Sequence, residues 1–291
     1  LKFADFWREN KYDMIFCLGD RFEMSAAVQA GIPFGLKFAH IHGGETTEGA
    51  IDDCVRHATT KMAHIHFASC EDSVRRLKNF GEDKKRIFNV GAPQLDDIYK
   101  FLKENKFKNF NIKSKKIVII FHPVLNEVKN FKTQIKNLYL ALQKFNFDYY
   151  WVYPNNDYGY KYLINFFKSK RLNKKFNIIK NLDRDRFLSL LSNSYAIIGN
   201  SSCGILEAPS FKMPVINIGT RQNKRPQAKN IINSSNSEKD IYLKIKFINE
   251  NKKYLKNLKK VQNIFFKPNS LKSIIKIIKK FKKNDTIFRK Y

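Results

Sequence analysis

The sequence predicts an α/β fold made of parallel β-sheets in two domains. Short apolar runs alternate with helical patterns along the chain, as where Ile65–Ala68 is followed by a helical pattern over 71–79. This alternation favours βαβ units and therefore parallel sheets. A Lys- and Asn-rich stretch that ends near residue 115 interrupts the pattern, which then restarts. We therefore predict one domain over 1–105 and a second over 106–291.

The predicted strands are short, mainly apolar runs, and each predicted helix begins after such a run. In the first domain we predict strands over 14–18, 35–40, 65–68 and 87–90, and helices over 21–30, 50–63, 71–79 and 94–103. In the second domain we predict strands over 117–121, 149–153, 176–179, 195–198 and 215–218, and helices over 127–145, 158–169, 184–192 and 204–209. Two amphipathic helices, over 239–253 and 270–282, close the chain.

The charge of the chain is strongly basic but unevenly distributed. The formal net charge is +29, yet residues 1–100 carry 14 basic against 15 acidic side chains, while residues 101–291 carry 41 against 11. Most of the excess is Lys scattered among Asn, Ile and Phe, which indicates solvated helix faces; attraction of an anionic ligand or membrane surface is the alternative. No nucleic-acid-binding module is recognisable, so we expect no specific nucleic-acid partner.

Cysteine usage and hydropathy restrict the class of protein further. Four cysteines lie at positions 17, 54, 70 and 203 without a Cys-x-x-Cys pair, which is typical of a reduced, cytoplasmic protein. No apolar run is long enough to cross a bilayer, so we expect no membrane insertion. A nucleotide-binding domain would have strands ahead of residue 14, so the first domain is expected to be incomplete at its N-terminus.

Polar residues follow a predicted strand of the second domain between Gly199 and Glu207. Ser201 and Ser202 lie at a predicted helix N-terminus, where backbone N–H groups and the helix dipole favour an anion such as phosphate. Glu207, about a turn and a half into that helix, can accept the hydroxyls of a ribose. The alternative is an ordinary serine cap with an exposed glutamate. A serine-hydrolase elbow does not fit, because Gly-x-Ser-x-Gly is incomplete around both serines.

Three single residues follow other predicted strands of the second domain. His122, Asn155 and Arg221 come shortly after the strands over 117–121, 149–153 and 215–218. Alone, each is typical of a loop. Together with the two serines they indicate one edge of one sheet, which is where ligands bind in open α/β folds.

Carboxylates are concentrated near the ends of two strands and one helix of the first domain. They are Asp20, Glu23, Glu45, Glu48, Asp52 and Asp53. Crowded carboxylates raise one another's pKa, and removal of a proton from carbon needs a base tuned by its surroundings. The alternative for the acids near residue 50 is a solvated helix start. Asp20 follows its strand directly and is the better candidate for a base.

Five of the six histidines lie between residues 40 and 66, in the pairs His40/His42 and His64/His66. Alternate residues of a strand share a face, so each pair could hold a metal ion. A metal-dependent hydrolase is therefore the second functional class. The sequence offers no other motif with metal-ligand spacing, and we predict no metal site.

The order of these motifs resembles that of the UDP-N-acetylglucosamine 2-epimerases. The motifs are Gly-Asp-Arg-Phe-Glu from Gly19, His-Ile-His-Gly-Gly-Glu from His40, Ile-Asp-Asp-Cys-Val-Arg-His from Ile51, Gly-Asn-Ser-Ser-Cys-Gly from Gly199 and Asn-Ile-Gly-Thr-Arg-Gln from Asn217. The resemblance is closest to the hydrolysing branch, which feeds sialic acid and related nonulosonic acid synthesis.

The resemblance implies a GT-B arrangement, in which two Rossmann-like domains face a cleft and the last helix crosses back to the first domain. It also implies a reaction: UDP leaves C1 as the C2 proton is removed, a 2-acetamidoglucal forms, and water adds to give N-acetylmannosamine and UDP. The UDP-sugar is the expected partner, no metal or redox cofactor is expected, and a homo-oligomer (dimer or tetramer) is expected.

The resemblance also assigns roles to residues of this chain. It implies that Asp20 is the catalytic aspartate, that Asp52 is a second acid or base, and that Arg21 contacts the substrate phosphate. The residues that match the UDP site are His122, Asn155, Ser201, Ser202, Glu207 and Arg221, with Glu207 on the ribose. Some relatives have Glu at the position of His42 as a proposed proton-transfer residue. His42 can move protons near neutral pH, and Glu45 lies three residues on, so either can act here.

The same motifs are compatible with other functional hypotheses. Within the family they are a hydrolysing UDP-N,N′-diacetylbacillosamine 2-epimerase, used for legionaminic acid, and a non-hydrolysing epimerase. Outside it they are the metal-dependent hydrolase and a non-catalytic fragment that binds a nucleotide sugar. The family has a first strand and a basic diphosphate-binding loop ahead of Leu1, so the 291-residue chain alone is expected to have weak or no activity.

Overall fold

The computed structural model describes residues 2–48, 51–104, 115–169 and 172–283, which form two compact units. The first unit contains the described residues of 1–47, 51–97 and 265–291, and the second contains those of 48–50 and 98–264. The predicted domain boundary at residues 105 and 106 lies outside the described residues.

The first unit is built, in its described part, on a four-stranded parallel sheet. Its strands, in spatial order, are β1 (Ile15–Leu18), β2 (Phe38–Ile41), β3 (Ile65–Ala68) and β4 (Ile87–Asn89). Its helices are α1 (Lys2–Glu9), α2 (Phe22–Gly31), α3 (Asp52–Met62), α4 (Glu71–Asn79), the start of α5 (Gln94–Glu104) and α12 (Ser270–Lys283), with 3-10 turns at Ile32–Phe34 and Lys84–Arg86.

Apolar side chains cover both faces of this sheet. Successive residues of a strand point to opposite faces. Phe38 of β2 accordingly packs in a cluster with Val28 of α2, whereas its neighbour Ala39 belongs to a cluster with Ile274 of α12. Nearly every residue of the central strands β2 and β3 is buried, as is typical of parallel strands covered on both faces, whereas β1 keeps Phe16 and Leu18 exposed.

The second unit contains, in its described part, a six-stranded parallel sheet. Its strands are β5 (Lys116–Ile120), β6 (Asp148–Val152), β7 (Phe176–Ile179), β8 (Ala196–Gly199), β9 (Val215–Ile218) and β10 (Ile231–Ser234). Its helices are α6 (Phe131–Gln143), α7 (Tyr160–Ser169), α8 (Arg184–Ser192), α9 (Ser202–Leu206), α10 (Glu238–Glu250) and α11 (Lys252–Asn257), with 3-10 turns at Leu125–Asn130, Ala208–Phe211 and Leu258–Lys260.

The strand order of this sheet, β10-β9-β8-β5-β6-β7, identifies a Rossmann-type doubly wound topology. The chain moves outward from β5 through β6 and β7, returns to β8, and continues in the other direction through β9 and β10. Ile119 of β5 pairs with Trp151 of β6 on one side and with Ile198 of β8 on the other. Ligands of such sheets bind beyond the carboxyl ends of the two strands where the order reverses, here β5 and β8.

The predicted α/β class with parallel sheets is confirmed, and every predicted strand overlaps an observed one. Among the α-helices and strands of the described residues, α1 and the edge strand β10 were not predicted. The helix predicted over 204–209 is corrected: α9 ends at Leu206, and a 3-10 turn over Ala208–Phe211 follows, in which Pro209 has no N–H to continue the helix. The helix predicted over 239–253 is divided at Asn251, whose side chain accepts from Tyr254 N at 2.8 Å and caps α11.

Within the described ranges, no helix has both the length and the apolar character that crossing a membrane requires.

Gly199, the last residue of β8, allows β5 and β8 to lie close together. Its φ is +141°, and a Cβ atom there would collide with the carbonyl oxygen of Ile120. We expect Gly199→Ala to destabilise the second unit by about 3 kcal/mol, because an overpacked contact with backbone adds to the strain of a positive φ. The measurement is urea unfolding followed by the fluorescence of Trp151, in a Trp7→Phe background.

Gly35→Ala is the matched control for this substitution. Gly35 also has a positive φ, +66°, but a Cβ atom there would meet nothing within 4 Å. Its substitution should therefore cost only the backbone strain, about 1 kcal/mol, and in the first unit. Equal losses in the two variants would contradict the steric explanation.

Candidate functional site

The candidate residues of the first unit lie at the carboxyl ends of its strands. Asp20 follows β1, Arg21 is the N-cap of α2, His42 follows β2 directly, and Asp52 is the first residue of α3. The connections that leave the carboxyl ends of parallel strands lie at one edge of a sheet, which is where α/β proteins place their ligands.

Arg56 of α3 organises this edge, although its side chain is only 1% exposed. The guanidinium donates to the carboxylates of Asp20 and Asp53, to Thr47 Oγ1 at 3.0 Å and to the backbone oxygen of Glu45 at 2.9 Å. Burial works against the charged guanidinium, but the nearby carboxylates outweigh it and raise the Arg56 pKa. Arg56 therefore stays a cation and fixes the position of Asp20.

His42 and Glu45 form one hydrogen-bonded pair. His42 has a left-handed backbone, with φ +67°, and its Nδ1 lies 2.6 Å from Glu45 Oε1. The same carboxylate oxygen accepts from Ser69 Oγ at 2.6 Å, and His42 Nε2 lies 3.1 Å from Gln94 Oε1. The two alternatives that the sequence left open for proton transfer are thus coupled.

The six carboxylates predicted near one another do not form one cluster. Asp20 and Asp53 share the cation of Arg56, so attraction to a guanidinium replaces the predicted mutual repulsion. Glu23 lies on the surface and pairs with Arg21 at 3.3 Å. At the start of α3, the carboxylate of Asp53 accepts from Arg56, and the role of Asp52 as a second acid or base stays a prediction.

The histidine pairs have protein partners rather than the arrangement of a metal site. His40 Nε2 lies 2.8 Å from the backbone oxygen of Gly19, and burial lowers the pKa of His40 to about 3. His64 Nδ1 accepts from a backbone N–H, and His66 Nε2 lies 3.1 Å from Glu82. Among the residues that the structure describes, no group of three or more His, Cys, Asp or Glu side chains could hold a metal ion.

The candidate residues of the second unit lie beyond the carboxyl ends of its strands, around the point where the strand order reverses. His122 follows β5, Asn155 follows β6, Ser201 follows β8 and Arg221 follows β9. The structure therefore brings these predicted residues to one edge of one sheet.

Asn200, which the sequence analysis did not single out, ties this edge together. Its Oδ1 accepts from His122 N at 2.7 Å, and its Nδ2 donates to His122 O at 2.8 Å. Its backbone oxygen accepts from Arg221 Nη1 at 3.3 Å and from Gln222 Nε2 at 3.0 Å. Because Asn200 is only 2% exposed, it positions its neighbours instead of meeting a ligand.

His122 is held as a neutral imidazole. Its Nδ1 accepts from the backbone N–H of Asn155 at 3.1 Å, so the proton of the neutral ring lies on Nε2. Burial, with help from the charge of Arg221, lowers the His122 pKa to about 3. The residue can therefore donate a hydrogen bond from Nε2 without carrying a charge.

The serines and Glu207 flank the short helix α9. Ser201 is its N-cap and its hydroxyl accepts from Cys203 N at 3.4 Å, while Ser202 is the first helical residue. Glu207 is the C-cap of α9, which corrects its predicted position inside the helix. Burial raises the Glu207 pKa, and Arg184 Nη1, at 2.8 Å from Oε2, opposes this effect.

Four functional candidates were missed by sequence reasoning because their partners are distant in the chain. The hydrogen-bond partner lies 36 positions away for Arg56 and 52 positions away for Gln94. It lies 78 positions away for Asn200 and 23 positions away for Arg184. Arg56 and Asn200 do lie inside the motifs quoted above, and this position in the sequence could have identified them as functional candidates.

The two neutral histidines predict a loss of stability in mild acid. The folded pKa of His40 and of His122 is about 3, below the value of about 6.5 for an unfolded chain, so only the unfolded chain takes up protons as the pH falls. Their contribution is complete above about pH 6.5 and declines toward pH 3, by about 1.4 kcal/mol per pH unit for each histidine. Urea unfolding at pH 7.5, 6.0 and 5.0 measures this slope.

Single-tryptophan variants assign the slope to a unit. Trp7 lies in α1 of the first unit and Trp151 in β6 of the second. With Trp151 as the reporter, His122→Asn should flatten the pH dependence of the second unit, whereas with Trp7 as the reporter the first unit should keep its slope. A stability that rises toward pH 5 would contradict the neutral state of these rings.

Comparison with known proteins identifies a family. A family model described as UDP-N-acetylglucosamine 2-epimerase matches residues 1–279. The chain is 37% identical to a UDP-N,N′-diacetylbacillosamine 2-epimerase (hydrolyzing) of Legionella pneumophila, over 80% of this chain and 63% of that protein. It is 36% identical to a GDP/UDP-N,N′-diacetylbacillosamine 2-epimerase (hydrolyzing) of Campylobacter jejuni, over 82% of this chain and 64% of that protein. The chain thus spans less than two thirds of the length of these two relatives.

A third relative matches almost the whole chain. It is the polysialic acid biosynthesis protein P7 of Escherichia coli, which is 30% identical over 97% of this chain and 73% of that protein. Among solved structures, the UDP-GlcNAc 2-epimerase of Neisseria meningitidis bound to UDP-GlcNAc superposes with a TM-score of 0.80 at 20% identity, covering 96% of this chain and 79% of that one. This structural likeness shows a common fold, that of GT-B 2-epimerases.

Proposed function

Because this chain belongs to the UDP-N-acetylglucosamine 2-epimerase family, we propose that the protein catalyses the hydrolysing 2-epimerisation of a UDP-sugar. The products of this reaction are UDP and the free sugar with inverted configuration at C2. The names of the relatives from Legionella pneumophila and Campylobacter jejuni, which both include the word hydrolyzing, support this branch of the family.

The observation that carries the proposal is the polar cluster around Arg56. Within one edge of the first unit, a buried guanidinium fixes Asp20 and the backbone of Glu45, and Glu45 in turn binds His42. A carboxylate and an imidazole held on fixed supports are what a reaction with two proton transfers at carbon needs.

The proposed chemistry assigns these two groups to successive steps. Asp20 removes the C2 proton while the bond from C1 to the UDP oxygen breaks, so that a C1–C2 double bond forms. A water molecule then adds its oxygen and one hydrogen to C1 as a hydroxyl group, and a proton from His42 adds to the opposite face of C2. The second proton of the water molecule returns His42 to its protonated form, and Asp20 releases the C2 proton to solvent. The atoms of one water molecule are thereby consumed, and UDP leaves as an anion whose charge needs stabilisation.

We propose that the second unit binds UDP where its strand order reverses. Ser201 and Ser202 supply hydroxyls at the end of β8, His122 supplies a neutral N–H donor and Arg221 a positive charge. These groups match the needs of a diphosphate, and Glu207 matches those of a ribose. Asn155 completes the proposed site.

Two sugars are candidates for the substrate. UDP-N-acetylglucosamine is the substrate that the motifs suggested, and a relative of that name from Neisseria meningitidis is 33% identical to this chain. UDP-N,N′-diacetylbacillosamine is the second candidate, because the relatives at 37% and 36% identity carry its name. Either product would serve the synthesis of a sialic acid or a related nonulosonic acid, in keeping with the name of the Escherichia coli relative.

The test of the proposal follows both UDP-sugars by NMR. The 291-residue chain and a version extended at its N-terminus by the family's first strand and basic loop are each incubated with either sugar. We expect the extended version to release UDP and one free 2-epimeric sugar, and the 291-residue chain to do so slowly or not at all. A UDP-linked epimer would instead indicate the non-hydrolysing reaction, and sensitivity to a chelator would indicate the metal-dependent hydrolase.

Ser202→Ala tests the UDP site separately from catalysis. Loss of one hydrogen bond to a charged phosphate should weaken UDP binding by about 10-fold or more, as measured by isothermal titration calorimetry. Ser192→Ala is the matched control, since the Ser192 hydroxyl bonds the backbone of its own helix at Ser189 O. Equal UDP affinity in the two variants would argue against this assignment.

A further inference from the structure

Both ring nitrogens of His42 face oxygen atoms. Nδ1 lies 2.6 Å from Glu45 Oε1, and Nε2 lies 3.1 Å from the side-chain oxygen of Gln94, the first residue of α5. His42 and Glu45 are 8% and 6% exposed, and Gln94 is half-buried. The contact with Glu45 is therefore buried, and the contact with Gln94 is partly buried.

The chemistry of the two acceptors decides how many protons the ring carries. A carboxylate oxygen and an amide oxygen can only accept hydrogen bonds, so each nitrogen that faces one must be an N–H donor. A neutral imidazole has one N–H, and only the imidazolium has two. Ser69 Oγ already donates to the same oxygen of Glu45, which favours the ionised carboxylate.

We propose that Gln94 is a positioning residue, whose side-chain oxygen accepts the Nε2 proton of His42 and, opposite Glu45, holds the ring in the doubly protonated form. This inference rests on the proposed function, in which His42 delivers a proton to C2. An imidazolium can give a proton but cannot take one, so removal of the C2 proton falls to Asp20. Gln94 thereby separates the roles of acid and base in the first unit.

The charges around the ring are consistent with this state. The Glu45 carboxylate lies beside Nδ1, and the cation of Arg56 donates to the backbone oxygen of Glu45 and not to its side chain. His40 and His66 belong to the neighbouring strands β2 and β3. Burial lowers the pKa of His40 to about 3, so its ring adds no positive charge to compete with that of His42.

Nitrogen NMR of the histidine rings tests the inference without relying on activity. The 291-residue chain is labelled with ¹⁵N-histidine, and the signals of His42 are assigned by their absence in the His42→Gln variant. At pH 7.5, both ring nitrogens of His42 should give the signal of a protonated N–H. Gln94→Leu removes the acceptor and should lower the pH of half-protonation by about one to two units. Gln94→Glu keeps an acceptor and adds a negative charge, so it should raise that pH above the value of the original chain.

The matched control is Gln143→Leu, the same substitution at an exposed glutamine of α6 in the second unit. It should leave the His42 titration unchanged. A neutral His42 at pH 7.5 in the original chain, with Gln94 donating its amide N–H to a bare Nε2, would overturn the proposal. So would equal titration curves for the original chain and both Gln94 variants.

Activity measurements on the N-terminally extended version separate this inference from the proposed function. If Gln94→Leu shifts the His42 titration, the alkaline limb of the pH profile of kcat, where the proton donor His42 loses its proton, should move in the same direction, with little change in KM. A shifted titration in a protein that turns over no UDP-sugar would count against the proposed function and leave the positioning role of Gln94 standing. If the titration does not shift in an enzyme that turns over the UDP-sugar, the positioning role of Gln94 is contradicted and the proposed function stands.

Discussion

In the N-terminally extended version, Asp20→Asn is expected to abolish UDP release, with a loss in kcat on the order of 100- to 10,000-fold, while UDP affinity stays nearly unchanged. The amide has no basic oxygen to take the C2 proton. It retains an oxygen that can accept from Arg56, so the buried guanidinium keeps a partner at this position. The proposed UDP site belongs to the second unit, which the substitution leaves intact. UDP release measured by a coupled assay and UDP affinity measured by calorimetry give the two readouts.

Asp53→Asn is the matched control for this prediction. Asp53 is the other carboxylate on Arg56, and it also accepts from Thr47 N at 2.6 Å. Its substitution perturbs the same guanidinium without removing the proposed base, so a much smaller loss is expected. Equal loss of kcat in both variants would assign the effect to Arg56, and loss of UDP binding in Asp20→Asn would contradict the role of a base.

Arg56→Leu is expected to destabilise the edge of the first unit by about 3 kcal/mol and to remove activity. Removal of one partner of a buried ion pair leaves unpaired charge, here on Asp20 and Asp53, and deprives Glu45 O and Thr47 Oγ1 of their donor. Hydrogen exchange followed by mass spectrometry should show about 100-fold less protection in peptides that cover β2 and α3.

Arg75→Leu provides the control for this substitution. Arg75 lies on α4, its side chain is 72% exposed, and it pairs with Asp72 on the surface. An exposed pair contributes little, so exchange protection should be nearly that of the original chain. Protection in the second unit should be unchanged in both variants. If hydrogen exchange in the first unit is as slow in Arg56→Leu as in Arg75→Leu, the supporting role of Arg56 is contradicted.

The sequence predicted the fold largely because the central strands β5, β8 and β9 are buried on both faces. Fully apolar runs such as Ile117–Ile120 mark such strands without any knowledge of their partners. β10 was missed because it is an edge strand in which only Ser234 is buried, so its sequence lacks the apolar run. α1 precedes the first strand, and the alternation of strands and helices gave no reason to expect it.

The candidate site was predictable in its positions but not in its contacts. Residues that follow strands could be placed at a sheet edge, and His122 and Ser201 do lie there. The partners that give those residues their chemical state come from other elements, as Arg56 does for Asp20 and Arg184 for Glu207. Such pairs depend on tertiary packing, which local periodicity does not encode.

The central claim is that the proposed enzyme removes the sugar C2 proton, expels UDP and returns a proton from its own side chains after water has added to C1. Incubation of the extended version with its UDP-sugar in D₂O, and separately in H₂¹⁸O, tests each part by NMR and mass spectrometry. We expect a free sugar with one deuterium at C2, one ¹⁸O at C1 and no ¹⁸O in UDP. A product that retains its original hydrogen at C2, or ¹⁸O found in UDP, would contradict the account.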